Sequence, residues 1–256
     1  MDTLGAVVGP AIALALIGVL SYSHIFLISF IPGAITVFVV VFLLKDIVHP
    51  PNPSLRLLSS LRSLPKSFWK YTGAVGVFGL GNFATTLLIL RAVVLLTPRF
   101  GVAHAGKIAI GLYILNKVLY AAISYPIGAL GDRVNKRSML MVGYGLFALI
   151  CVGFIFVRPD LLELALLFAA AGIYIGIVDA MERSMAAELL PDLALRATGY
   201  GALATVNSFG DLISSLTVGL LWSCVSYSSG FCYSAVLTLL GALMLLAVPK
   251  SGRTKE

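Results

Sequence analysis

Four ionisable side chains lie inside long apolar stretches of this sequence: Arg91, Lys117, Asp179 and Asp211. A charge held within a hydrocarbon layer costs at least about 2.5 kcal/mol on insertion scales, so each such residue needs a functional or structural reason. Lys117 follows Asn116 in the stretch LYILNKVLY, and Asp211 sits in NSFGDLISSL. With a helical rise of about 1.5 Å per residue, the two lie at similar depths. If they face one cavity, Asp211 can bind a proton or a cationic substrate in competition with Lys117. The alternative is a static ion pair that stabilises the bundle. Arg91 lies near the end of its stretch, where a long side chain can carry its charge to the interface. Asn82, Thr85, Asn116, Asn207 and Ser208 can line a cavity or form helix–helix hydrogen bonds.

The elements that must position these groups are membrane-spanning helices. The chain is 59% hydrophobic and 11% charged, with a mean hydropathy of +1.01. Soluble domains carry about 25% charged residues. Eight apolar runs are long enough to cross a bilayer, which takes roughly 20 residues: 3–21, 24–44, 72–96, 107–130, 138–157, 161–181, 198–222 and 230–249. They are too long for barrel strands and do not alternate apolar with polar residues. Lipid leaves the helix as the form that satisfies every backbone group within its own segment. The expected fold is all-α: a polytopic membrane protein of eight transmembrane helices. The start, MDTLGAVVGP, lacks the basic region of a signal peptide.

The formal net charge of +7 is arranged by side. Lys45, Arg56, Arg62, Lys66, Lys70, Arg133, Lys136, Arg137, Arg183, Arg196, Lys250, Arg253 and Lys255 fall on one side if the spans alternate evenly, against Arg99, Lys107 and Arg158 on the other. That asymmetry follows the positive-inside rule and makes the 45–71 loop and the C-terminus cytoplasmic. It also argues against a nucleic-acid partner. The lipid bilayer is the expected partner, together with a small-molecule substrate of unknown identity. Within 45–71, LRLLSSLRSL can lie on the membrane surface as a basic amphipathic helix or act as a polar connector.

Several chemistries lack support. His24, His49 and His104 are scattered, and no CxxC spacing joins Cys151, Cys224 and Cys232, so no metal site is expected. Cys151 reads as a small buried hydrophobe, while Cys224 and Cys232 flank a short outer loop. GLGNFA at 79–84 matches a dinucleotide-binding pattern but lies inside an apolar helix rather than after a strand, so no cofactor is expected. No His/Asp/Glu cluster or Ser–His arrangement suggests an enzyme. Gly172 and Gly176 form a GxxxG, which permits close helix approach.

Between the fourth and fifth spans lies GALGDRVNKR, 128–137. Gly128, Asp132, Arg133, Lys136 and Arg137, between two transmembrane helices, resemble the cytoplasmic loop motif of the major facilitator superfamily, with Asn135 where glycine is usual. Physically, the cations can hold a tight turn at anionic headgroups, and Asp132 can dock at a helix N-terminus or pair with an arginine, forming a conformational latch. Gly5, Gly9 and Pro10 look like the core of a fifth-span motif in antiporter members of that family, although Ala13 and Leu14 replace its usual paired glycines. MERSMAAELLPDLALRATGYG, 181–201, is similar to the connection after the family's tenth span. There Glu182 and Arg183 would share a cytoplasmic rim with Asp132.

These resemblances agree in register. They imply family spans five to twelve, with the first four absent. Residues 1–44 would be two helices ending an N-terminal half, 45–71 the central linker, 72–249 a six-helix C-terminal bundle and 250–256 a cytoplasmic tail. The resemblance implies a multi-pass secondary transporter in the cell membrane, working by alternating access in proton-coupled efflux. Asn82, Asn116, Lys117, Asp179, Glu182, Arg183 and Asp211 are the candidates for substrate or proton coupling. The alternative is a fragment inactive alone, or one that needs a separately encoded half.

Overall fold

The computed structural model describes residues 2–17, 19–43, 57–131, 134–190 and 192–249. Asp132, Arg133, residues 44–56 of the linker and the tail from 250 lie outside them. The helices are α1 (Asp2–Leu16), α2 (Tyr22–Phe38, continued by a π turn, Val39–Leu43), α3 (Leu57–Ser63), α4 (Lys66–Gly81), α5 (Thr85–Gly131), α6 (Lys136–Phe156), α7 (Leu161–Leu189), α8 (Leu193–Cys224) and α9 (Tyr227–Met244, continued by a 3-10 turn, Leu245–Ala247). The described residues form no β-strand. They make eight crossings, as the hydropathy predicts: α1, α2, α4 with the first limb of α5, the second limb of α5, and α6 to α9. By length and composition, five stretches of the described residues qualify as spans, with Lys66–Gly131 counted as one; α1 is shorter, and α8 is not among them. Its polar residues, which serve the site described below, lower its apolar content.

Three details depart from the expected outline. The third crossing begins at Lys66 rather than 72, because Phe68 and Tyr71 are fully buried and draw the preceding residues into the helix. That crossing is then interrupted between Gly81 and Thr85. Finally, the turn between the third and fourth crossings is itself largely helical, bending at Gly101, whose φ of 74° suits a residue without a side chain. Short α3 neither floats free nor simply lies on a surface. It packs on α8, with Leu64 buried and Arg62 exposed.

In the main bundle α5 packs on α7, α6 on both α7 and α9, and α4 on both α8 and α9, whereas α7 and α8 touch little. The closest approaches are made by glycine. A Cβ at Gly210 would lie 2.9 Å from Gly79 Cα, and one at Gly241 would lie 2.9 Å from Phe78 N. On the other side, a Cβ at Gly172 would collide with the Asn116 carbonyl and lie 3.0 Å from Leu119 Cβ, while one at Gly176 would strike Ile123. The GxxxG is therefore the seam between α5 and α7. Rings fill the centre: Phe78 stacks on Tyr144 at 3.6 Å, and Phe83, Phe147, Phe154, Phe231 and Trp222 continue the cluster. Cys151 is buried there, and Cys224 and Cys232 are free thiols.

The first two helices sit differently. α1 packs on α5, and α2 packs substantially on none of the other described helices. Phe26, Phe30, Ile31, Ile35 and Phe42 of the α2 crossing are exposed, as suits a helix whose solvent is lipid. Gly5 and Gly9 of α1 have nothing within 4 Å of an added Cβ, and Pro10 lies within the helix.

This contrast yields a test. Gly172→Ala should lower stability by about 1–3 kcal/mol through overpacking, read as an earlier thermal unfolding transition in detergent. Gly5→Ala, which meets open space, should leave the transition where it is.

Candidate functional site

The sequence supplies carboxylates, and the helix packing decides which are held. Glu182, on α7, is buried. The Tyr144 hydroxyl of α6 donates to its Oε1 at 2.7 Å, and the Asn207 amide of α8 donates to Oε2 at 2.8 Å. The Tyr71 hydroxyl of α4 donates to its backbone carbonyl at 2.9 Å. Tyr144 is fixed for this task by its stack on Phe78. Glu182 turns into the bundle, where two neutral donors meet its carboxylate and a third meets its backbone carbonyl. Next to it, a cavity of about 530 Å³ opens between α7 and α8, lined by Asp179, Glu182, Arg183, Tyr200, Asn207 and Ser208 among others.

Asp211 and Lys117 do not pair with each other. Asp211 accepts from the Asn82 amide at 3.1 Å, and Asn82 accepts in turn from Tyr174 at 3.1 Å. Asn82 opens the interruption in the third crossing, and its backbone N–H still closes on Phe78 and Gly79. The Ala84 N–H donates to the Ser215 hydroxyl oxygen at 3.1 Å. The break thus has its backbone and side-chain partners on α7 and α8. An unwound turn at membrane depth is tolerated where protein groups satisfy it in this way.

Lys117 lies over two rings of its own helix, Tyr113 at 5.2 Å and Tyr120 at 5.5 Å. The Tyr120 hydroxyl donates to Asp179 Oδ2 at 2.9 Å, so the ring beneath Lys117 ties α5 to α7. Asn116 instead faces the seam, fully buried, donating to the Phe168 carbonyl at 3.1 Å. It is a helix–helix contact. Arg91 stacks on the Tyr227 ring at 4.4 Å, so its charge is held by α9 rather than simply extended to the interface.

Of the loop motif, Asp132 and Arg133 lie outside the described residues. Gly128 meets open space, and Gly131 packs on Met181. Asn135 caps α6 by accepting from the Arg137 N–H at 3.1 Å. Lys136 forms an ion pair with Glu188 of α7, and Arg137 donates to the Val248 carbonyl beyond α9 at 2.7 Å. These two cations fasten the start of α6 to the ends of two neighbours.

The family model of the Major Facilitator Superfamily matches residues 103–256. The chain belongs to that superfamily. Members are transporters rather than enzymes, and this one is a multi-pass membrane protein. It is 30% identical over 252 residues to an uncharacterized MFS-type transporter of Methanocaldococcus jannaschii, covering 96% of this chain and 61% of that protein. It is 28% identical over 160 residues to the vesicular acetylcholine transporter of Rattus norvegicus, covering 61% of this chain and 29% of that one. The human vesicular acetylcholine transporter matches to the same degree over 159 residues. The chain thus spans less than two thirds of the length of these relatives.

Sequence reasoning missed the tyrosines. Tyr71 and Tyr144 reach Glu182 from 111 and 38 residues away, and no local spacing announces such a meeting. Tyr144→Phe keeps the ring stack and removes one donor. It should cost about 1–3 kcal/mol, and much less in a Glu182→Gln background. A double-mutant cycle on thermal unfolding measures the difference.

Proposed function

We propose that this superfamily member takes part in proton-coupled export of a small molecule across the cell membrane by alternating access, with Glu182 as the proton-exchanging group. The observation that carries the reading is the setting of Glu182. Its carboxylate is buried beside a cavity, and both oxygens are held by neutral donors. A charge in such a place is expensive without an opposite charge to balance it. Uptake of a proton removes the charge, and a change in cavity hydration returns it. The same carboxylate bonds to α6 through Tyr144 and to α8 through Asn207, so a change in its protonation acts on both helices together.

The basic loops are assigned to the cytoplasm by the cation asymmetry, with Lys136 and Arg137 at that end of the bundle. A second reading, that the chain works with a further helical half, is favoured by Gly5 and Gly9, whose open faces on α1 suit a close-packed neighbour.

Infrared spectroscopy of the protein in lipid tests the proton site. A carbonyl band of a protonated carboxyl should fade as pH is raised and be absent from Glu182→Gln. A band that persists unchanged in that variant sinks the assignment.

Topology is read separately, after Cys224 and Cys232 are replaced by serine. A membrane-impermeant thiol reagent applied to sealed cells should label Ala103→Cys and spare Ser138→Cys. The reverse pattern overturns the cytoplasmic assignment.

A further inference from the structure

We infer that the Asp179–Arg183 edge of the cavity recognises a small ammonium compound carrying a carboxylate, and that the charge of Lys117 opposes the ammonium end. This deepens the transport reading and rests on it for the use of the cavity. Of the three carboxylates, Glu182 has both oxygens engaged by Tyr144 and Asn207, and Asp211 is engaged by Asn82 at the helix break. Asp179 lines the cavity and is exposed there. Its Oδ2 holds the Tyr120 hydroxyl, while its Oδ1 accepts no hydrogen bond from the described residues.

The surroundings of Asp179 are already suited to an ammonium. The Lys117 Nζ lies over the faces of Tyr113 and Tyr120, and one of those rings passes its hydroxyl to Asp179. The Tyr120 ring thus carries a cation on its face and a carboxylate at its hydroxyl, and a ring face attracts a cation through its quadrupole. Lys117 lies outside the cavity lining and one ring away from Asp179, so its charge acts on an ammonium there from behind Tyr120.

Arg183 sets the other end. It follows Asp179 by four residues on α7, and both line the cavity. At about 1.5 Å per residue the two lie roughly 6 Å apart along the axis, on one face of the helix. A bare cation would gain from Asp179 and suffer from Arg183. A zwitterion with its two charges a few bonds apart gains from both, and guanidinium is suited to a carboxylate. The cavity, about 530 Å³, falls within the range of small-molecule sites, about 300–1,000 Å³.

The test is equilibrium binding to the full chain in lipid nanodiscs, using radiolabelled trimethylglycine and tetramethylammonium. Trimethylglycine should bind about tenfold tighter, the difference expected of one charge-assisted pair. Asp179→Asn should weaken both probes about tenfold or more, and Asp179→Glu, which keeps the charge, should recover much of the loss. Arg183→Gln should erase the preference for trimethylglycine by weakening that probe, without weakening tetramethylammonium. Lys117→Gln should tighten both. Equal binding of the two probes to the parent, no binding of either, or an Asp179→Asn protein that binds like the parent overturns the proposal. If Asp179→Asn fails to fold, the Arg183→Gln and Lys117→Gln arms decide it. Binding as expected without the infrared signal of Glu182 would remove proton coupling and leave this site standing. The signal without binding would do the reverse.

Discussion

A carboxylate cannot be placed inside a membrane bundle without donors to hold it, and at Glu182 those donors come from the helices themselves. Tyr71, Tyr144 and Asn207 belong to α4, α6 and α8, and all three converge on a single residue of α7. The remaining packing supports that convergence. Phe78 and Tyr144 stack so that the hydroxyl is aimed. Gly79 and Gly210 bring α8 close enough to α4 for Asn207 to share the same carboxylate. Hydrophobic burial cannot supply the specificity here, because lipid is as apolar as the core. Directional polar contacts and the close fit of glycine surfaces must do so.

The outline of the fold was legible in the sequence for a simple reason. Lipid forces each crossing to be a long apolar helix, and that length is visible in one dimension. The fine structure was less so. A helix that stops at Gly81 and restarts at Thr85 uses partners on α7 and α8, and these lie far away in the chain. The stretch 66–71 carries two lysines and reads as linker. It becomes helix because Phe68 and Tyr71 point into the bundle.

The candidate site was legible as a set of residues rather than as a geometry. Asp179, Glu182, Arg183, Asn207 and Ser208 do share one cavity. Lys117 and Asp211 have the matching depth that drew attention to them, yet they have different neighbours: Lys117 lies over Tyr113 and Tyr120, and Asp211 bonds to Asn82. Depth follows from counting residues along an axis. Azimuth depends on how each helix is rotated, and one sequence fixes that weakly when apolar residues surround the helix on all sides. Glu182 illustrates the same limit. It shares a rim with Arg183 in the sequence, but one step around the helix turns a side chain by about 100°, enough to separate an exposed arginine from a buried glutamate.

The little contact between α7 and α8 has a mechanical meaning. Where glycine lets two backbones meet, as between α4 and α8 or between α5 and α7, sliding is blocked by atoms that cannot yield. These pairs form two close-packed groups, one of α4, α8 and α9 and the other of α5 and α7, and α6 packs extensively on a member of each. The cavity lies along the joint between the groups. Widening it parts the small α7–α8 surface and the Asn207–Glu182 hydrogen bond, with α6 still joining the two groups. The side of the bundle with the least helix–helix packing is thus the side that holds the volume around Glu182.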